Sequence, residues 1–122
     1  DNYNALIQIE NALFDFAEEI TLSALDDLNI EHFSLIQNYP NPFNPVTAIQ
    51  FSVPKDSYVN LKIFNILGKE VATLISGDVS AGYHKVIWNG RDKTGKPLSS
   101  GMYFSRMESG SFSVVKKMVL LK

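Results

Sequence analysis

Several runs of this sequence carry residue types that do chemistry elsewhere. Gly90-Arg91-Asp92-Lys93-Thr94-Gly95-Lys96 has the glycine spacing and closing lysine of a phosphate-cradling loop. In such a loop the backbone N–H groups hold the phosphates, the next Ser or Thr holds magnesium, and a helix N-terminus follows. Here Pro97 stands at the magnesium position, and Leu98-Ser99-Ser100-Gly101 does not begin a helix. The run is read as a hairpin loop. Ser52-Val53-Pro54-Lys55, taken with Lys93-Thr94-Gly95, has the spacing of a serine nucleophile served by lysine. The Ser-Asp-Asn element that completes that pattern is missing, and Ser52 falls within a strand pattern rather than at a helix start. His32 and His84 have no partners at the spacing a metal or a triad needs. The adjacent acids Glu18 and Glu19, and Asp26 and Asp27, are read as solvated faces. Asn89, Asp92 and Thr94 could line a cation, but Arg91 and Lys93 among them repel it. No nucleophile, base and stabiliser assemble, so the expectation is a protein without catalysis, cofactor, metal or small-molecule substrate.

Composition narrows the classes further. The 122 residues are 45% apolar and 20% charged, enough for one packed domain with a short appendage. Without cysteine, thiol catalysis, zinc ribbons and disulfide scaffolds are excluded. No apolar run approaches a membrane span, and no basic stretch leads into a signal-like apolar run. A net charge of -2 argues against general nucleic-acid binding. That sum conceals an asymmetry. Residues 1–33 hold eight acids and neither Lys nor Arg, whereas 34–122 hold all eleven bases and five acids. The charges are thus -8 and +6, and every Gly and Pro lies from Pro40 onward. Two units are expected: an acidic extension or remnant of a preceding module over 1–33, and a domain over 34–122, with the boundary between Asn29 and Asn38.

The elements that would position any site are strands. Thr47–Val53 alternates, with Ile49, Phe51 and Val53 on one face. Pro54-Lys55-Asp56-Ser57 turns the chain. Tyr58–Ile66 alternates again, with Val59, Leu61 and Ile63 facing inward. After the Leu67-Gly68-Lys69 turn, Val71–Ile75 makes a short strand, and Gly77, Asp78, Ser80 and Gly82 make a loop. Tyr83–Asn89 brings Val86 and Trp88 to one face, where Trp88 fills the core. Asn89-Gly90 is a strong turn dipeptide. Gly101–Glu108 and Phe112–Leu121 close the chain around Ser109-Gly110-Ser111. This gives an all-β antiparallel sandwich of six strands, or seven if Phe33–Gln37 also pairs. In the first 33 residues, Leu13, Ala17, Ile20, Ala24 and Leu28 fit a helix face, whereas Leu6–Glu10 and Glu19–Leu22 fit strands. Periodicity leaves both open.

The most unusual run is Asn38-Tyr39-Pro40-Asn41-Pro42-Phe43-Asn44-Pro45. Three prolines in six residues forbid helix and ladder pairing. A rigid lead-in is expected, with Tyr39 and Phe43 anchoring it to the core and Pro40, Pro42 and Pro45 stiffening it.

That run opens a series of matches in chain order: Gln37–Pro45, Tyr58–Gly68, Val71–Leu74, Ala81–His84, Trp88–Asp92, Gly95–Phe104 and Lys116–Lys122. Over about three quarters of its length the chain resembles the C-terminal domains that direct secreted proteins to the type IX secretion system of the Bacteroidetes and their relatives. Those domains are similar in turn to the immunoglobulin-like part of the flagellar hook-capping protein. The resemblance implies an immunoglobulin-like sandwich at the end of a larger secreted protein. It also implies an outer-membrane translocon and a sorting peptidase as partners, possible attachment to surface polysaccharide, and a destination at the cell surface or in the medium, reached through the periplasm. The family's signal lies largely in its final strands, which correspond here to Ser100, Gly101, Met102, Tyr103, Gly110, Lys116, Lys117 and Lys122. Two other readings are a carbohydrate-binding module, for which Tyr58, Phe64, Tyr83 and Phe104 would form an exposed row, and a scaffolding domain of an extracellular assembly.

Overall fold

The computed structural model describes residues 30–122. The helix and strand alternatives for the N-terminal extension, and the acid pairs Glu18/Glu19 and Asp26/Asp27, lie outside the described residues.

Seven strands follow in order: β1 Ser34–Leu35, β2 Thr47–Val53, β3 Ser57–Asn65, β4 Glu70–Val79, β5 Gly82–Trp88, β6 Gly101–Ser109 and β7 Phe112–Leu120. They form two antiparallel sheets, ordered β1-β2-β5 and β4-β3-β6-β7. This is the all-β antiparallel sandwich expected from the alternation, with the immunoglobulin-like character that the resemblance implies. In the constant-type arrangement the fourth strand joins the sheet of the first two; here β4 lies beside β3 instead. Between the sheets lie Ile49, Phe51 and Val53 from β2, Val59, Leu61 and Ile63 from β3, Met107 from β6, and Met118 and Leu120 from β7. Each is an alternate residue of its strand, so one register buries the whole set.

Trp88 closes one end of this core as expected. Its ring meets Phe43 at 5.5 Å and the edge of Tyr103 at 5.8 Å. Its indole N–H donates to the Arg91 carbonyl at 3.1 Å. The Tyr103 hydroxyl, near the start of β6, donates to the Ser99 carbonyl four residues upstream at 2.8 Å. That is the tyrosine corner common in immunoglobulin-like sandwiches.

One strand differs from the sequence reading. The segment expected to be a short strand followed by a loop is a single strand, Glu70–Val79, and only Ser80 and Ala81 remain to turn the chain. Its alternation is hidden by two bulges. Leu61 opposes Ile75 while Lys62 opposes Thr73, leaving Leu74 extra; Ile63 opposes Ala72 while Phe64 opposes Glu70, leaving Val71 extra. Each bulge turns two consecutive side chains inward, which breaks the period of two. Gly77 and Asp78, which suggested a loop, pair with Val59 and Tyr58.

Candidate functional site

The lead-in and the last hairpin form one structure. After β1, Ile36 N–H donates to the Gln50 carbonyl at 2.9 Å, and Tyr39 exchanges both backbone bonds with Ala48 at 3.0 and 2.8 Å. The chain then crosses to the other sheet. Phe43 N–H donates to the Val119 carbonyl, and Leu121 N–H donates to the Phe43 carbonyl, each at 2.9 Å. The Phe43–Leu120 bridge is parallel. Side chains extend this contact: Gln37 Nε2 donates to the Lys117 carbonyl at 2.7 Å, and Asn41 Oδ1 accepts from Val119 N–H at 3.0 Å. The outer edge of β7 is therefore sealed by the chain's own lead-in from Lys117 to Leu121. An unpaired terminal edge is a template for wrong pairing, and this segment covers its C-terminal half.

Within the lead-in the expected anchors divide. Phe43 is 1% exposed and packs on Trp88, but Tyr39 is 80% exposed, which corrects its assignment as a core anchor. Its backbone pairs with β2 while its ring stands in solvent. The buried polar anchor is Asn38, which sequence reasoning had not singled out. Its Nδ2 donates to the Pro40 carbonyl at 3.1 Å and to Thr47 Oγ1 at 3.0 Å, and Thr47 Oγ1 donates to Pro40 O at 2.8 Å. An asparagine directly before such a proline run, with threonine opening the next strand, is the signal that could have pointed to it. The Tyr39-Pro40, Asn41-Pro42 and Asn44-Pro45 bonds are all cis. Pro45 lies against Gly90, where an added Cβ would stand 3.0 Å from the Pro45 carbonyl and φ is +71°. Only glycine fits there without strain.

The residues matched to the sorting signal all lie on or beside the β6–β7 hairpin, but they do not form one cluster. Tyr103 is buried in its corner. Gly110 occupies the hairpin turn at φ +57°. Gly101 opens β6 opposite Leu120, about 30 Å from that turn for a nine-residue strand. At the same end, Lys122 N–H donates to Ser100 Oγ at 2.9 Å, and Met102 stands exposed. Lys116 and Lys117 point to opposite faces of β7, as their adjacency requires. Lys116 is half-buried beside a groove of about 680 Å³ lined by Ile36, Asn41 and Gln50 among others. Lys117 lies on the outer face, opposite Phe104.

That outer face carries Glu70, Phe64, Phe104 and Lys117 across four strands, with Lys62 and Arg106 in the next row. Arg106 lies 4.3 Å above the Phe64 ring, a cation–π contact. Its Nε is 3.0 Å from a Glu108 carboxylate oxygen, but the N–H points off that oxygen and is otherwise unpartnered. Lys62 pairs with Glu70 at 3.3 Å. A hydrogen bond from Thr73, then the Lys62 ammonium, hold the Glu70 carboxyl below its ordinary range. The aromatic row suggested for sugar binding does not assemble. Tyr83 belongs to the other sheet, and Phe64 and Phe104 are half-buried side by side.

The remaining motifs are structural. Asp92 Oδ1 accepts from Thr94 N–H at 2.9 Å, Thr94 Oγ1 at 2.6 Å and Lys96 N–H at 3.0 Å, folding the phosphate-loop look-alike onto itself. The bond from Thr94 Oγ1, followed by the Lys96 N–H, holds the Asp92 carboxyl below its usual range. Ser52 is paired inside β2, where its hydroxyl lies 2.6 Å from that of Ser34. His84 stacks on Phe51 and donates from Nε2 to the Ser80 carbonyl at 2.6 Å. Among the described residues no three His, Asp or Glu side chains converge as metal ligands, and no helix is long and apolar enough to cross a membrane.

Two sheets, a tyrosine corner and a lead-in that crosses between them define an immunoglobulin-like module. Residues 44–112, more than half of the chain, match the model of the FlgD Ig-like domain, and the chain belongs to that family. No curated protein matches it. Among solved structures it is similar to dimeric latent PorU from Porphyromonas gingivalis, with 18% identity and a TM-score of 0.60 over 75% of this chain and 10% of that one. It is also similar to PorZ of the same organism, with 20% identity and a TM-score of 0.52 over 77% of this chain and 12% of that one. PorZ is described as an essential bacterial surface component of the type IX secretion system. FlgD from P. aeruginosa aligns at 19% identity and a TM-score of 0.49, covering 61% of this chain and 58% of that one. The chain spans only about a tenth of the length of PorU and PorZ, and at these identities the likeness is one of fold.

Proposed function

We propose that this module is a non-catalytic C-terminal sorting domain that directs a larger protein through a type IX secretion system to the cell surface or the medium. Its partners on this reading are the outer-membrane translocon and a sorting peptidase, with possible attachment of the cargo to surface polysaccharide. Family membership, the ordered sequence matches and a fold shared with a type IX surface component support the reading.

The observation that carries it is the construction of the last hairpin. A sorting signal needs no pocket; it needs a rigid element that a receptor can read. Here the C-terminal half of the β7 edge, from Lys117 onward, is closed by residues 37–43, so strand addition along that half is blocked. Near that closed half, the outer face and the C-terminal end present Lys117, Lys122, Met102 and Ser100 for a receptor to read. Tyr103 and Gly110 then keep the hairpin's shape rather than meet the receptor.

This division dictates the test. Deleting Lys116–Lys122 removes Met118 and Leu120, both fully buried, so any loss of export would report unfolding. Replacing Lys117 and Lys122 by Ala leaves the core intact. In a type IX host, a reporter ending in the full chain is exported, and the double variant is retained in the periplasm at an unchanged thermal midpoint. Undiminished export of the double variant removes these lysines from the signal.

A further inference from the structure

The charges of the folded module are sorted by end. Lys69, Arg91, Lys93, Lys96 and Lys122 all belong to the end where the β3–β4 turn, the β5–β6 loop and the C-terminus meet. Three contacts bring these segments together. Lys93 N–H donates to the Val71 carbonyl at 2.9 Å, Asn65 opposes Tyr103 in the ladder, and Lys122 N–H donates to Ser100 Oγ. The only acids among the described residues at this end are Glu70 and Asp92. Glu70 is held by Lys62 and Thr73, and Asp92 is bonded by its own loop. Among the described residues the opposite end holds Glu31, Asp56, Asp78 and Glu108, against Lys55 and the Arg106 that pairs with Glu108.

The basic end also carries apolar side chains held out in water. Ile66 and Leu67, at the tip of the β3–β4 turn, are 68% and 87% exposed. The turn that presents them is ordered by four hydrogen bonds. Asn65 Oδ1 accepts from Leu67 N–H and Lys69 N–H at 3.0 Å each, Gly68 N–H donates to the Asn65 carbonyl at 2.9 Å, and Asn65 N–H donates to the Lys69 carbonyl at 3.0 Å. Gly68, at φ +80°, lets the turn close. Met102 and Leu121 are half exposed at the same end. A fixed apolar tip flanked by the exposed cations Lys69, Arg91, Lys93 and Lys96 suits a surface that is anionic outside and apolar beneath. That is the chemistry of a lipid headgroup layer, where apolar side chains enter the acyl boundary and Lys and Arg meet phosphates.

We propose that this end docks on anionic lipid surfaces, with Leu67 and Ile66 inserting at the interface and Lys69, Lys93, Lys96 and Arg91 binding headgroup phosphates. The proposal goes beyond the sorting role and does not depend on it. Overall charge cannot drive such binding, because the whole chain carries -2. The sorted basic end must do so.

Co-sedimentation of the full 122-residue chain with vesicles tests it. Phosphatidylglycerol–phosphatidylcholine vesicles are expected to retain the protein, phosphatidylcholine alone to leave it in solution, and added salt to release it. Lys93→Glu/Lys96→Glu and Ile66→Ser/Leu67→Ser each lower retention about tenfold or more at an unchanged thermal midpoint. Both pairs lie in exposed turns, so the fold survives either change. Equal retention on both vesicle types, no retention at all, or retention indifferent to both variants overturns the proposal. So does tighter capture by soluble poly-glutamate than by anionic vesicles, which assigns this end to an acidic protein instead.

Discussion

A few side chains in this module hold more structure than their size suggests. Asn38 ties the lead-in to the start of β2 through Pro40 and Thr47, with its own side chain and that of Thr47 buried. Removing its amide leaves the Thr47 hydroxyl and Pro40 carbonyl under-bonded. Asn38→Ala is expected to cost about 1–3 kcal/mol in urea unfolding. Asp92 acts through charge. Its carboxyl is held below the ordinary aspartate value of 3.8 by Thr94 and Lys96, so the folded loop prefers the ionised form. The loop's order is complete above that ordinary value and is lost as pH falls through the lowered one. NMR of the Thr94 and Lys96 amides is expected to show the loop loosening only in acid. Asp92→Asn is expected to remove that titration. A loop that loosens in the variant over the same pH range contradicts the assignment.

At the scale of elements, the lead-in ties the two sheets together through one bridge to β2 and one to β7. Phe43 is its pivot, buried on Trp88 and bonded through its backbone to Val119 and Leu121. Phe43→Ala is expected to cost about 3–5 kcal/mol. Hydrogen exchange would show the Val119 and Leu121 amides losing protection first, ahead of those facing β6. Unchanged protection at these two amides would mean that the edge is not held by the lead-in. This contact is also where the sequence was least legible. The alternating apolar residues of β2, β3, β6 and β7 announced their strands directly, because one face is dry and the other wet. The prolines announced a stiff lead-in, but the crossing depends on backbone and amide bonds from Gln37, Asn41 and Phe43 to a strand more than seventy residues later, and no local pattern records that. β4 was half legible, since its bulges at Val71 and Leu74 erase the period that marks a strand. Of the signal candidates, Lys116 and Lys117 had to face opposite ways by adjacency, but which one is exposed came only from the structure. The burial of Tyr103 in its corner depended on the loop that precedes it.

For the whole molecule, the two ends of the sandwich differ in charge and in exposed apolar side chains. Phe33, ahead of β1, stacks on Phe112 beside the β6–β7 turn. The C-terminus lies a strand length away, at the basic end with its apolar tip. The central claim is that this module is sufficient to sort what precedes it. The most direct measurement is export of a periplasmic reporter fused ahead of the full chain, in a type IX host and in the same host lacking its translocon. The account predicts reporter at the cell surface or in the medium of the first and periplasmic reporter in the second. Folded reporter confined to the periplasm of both would contradict it.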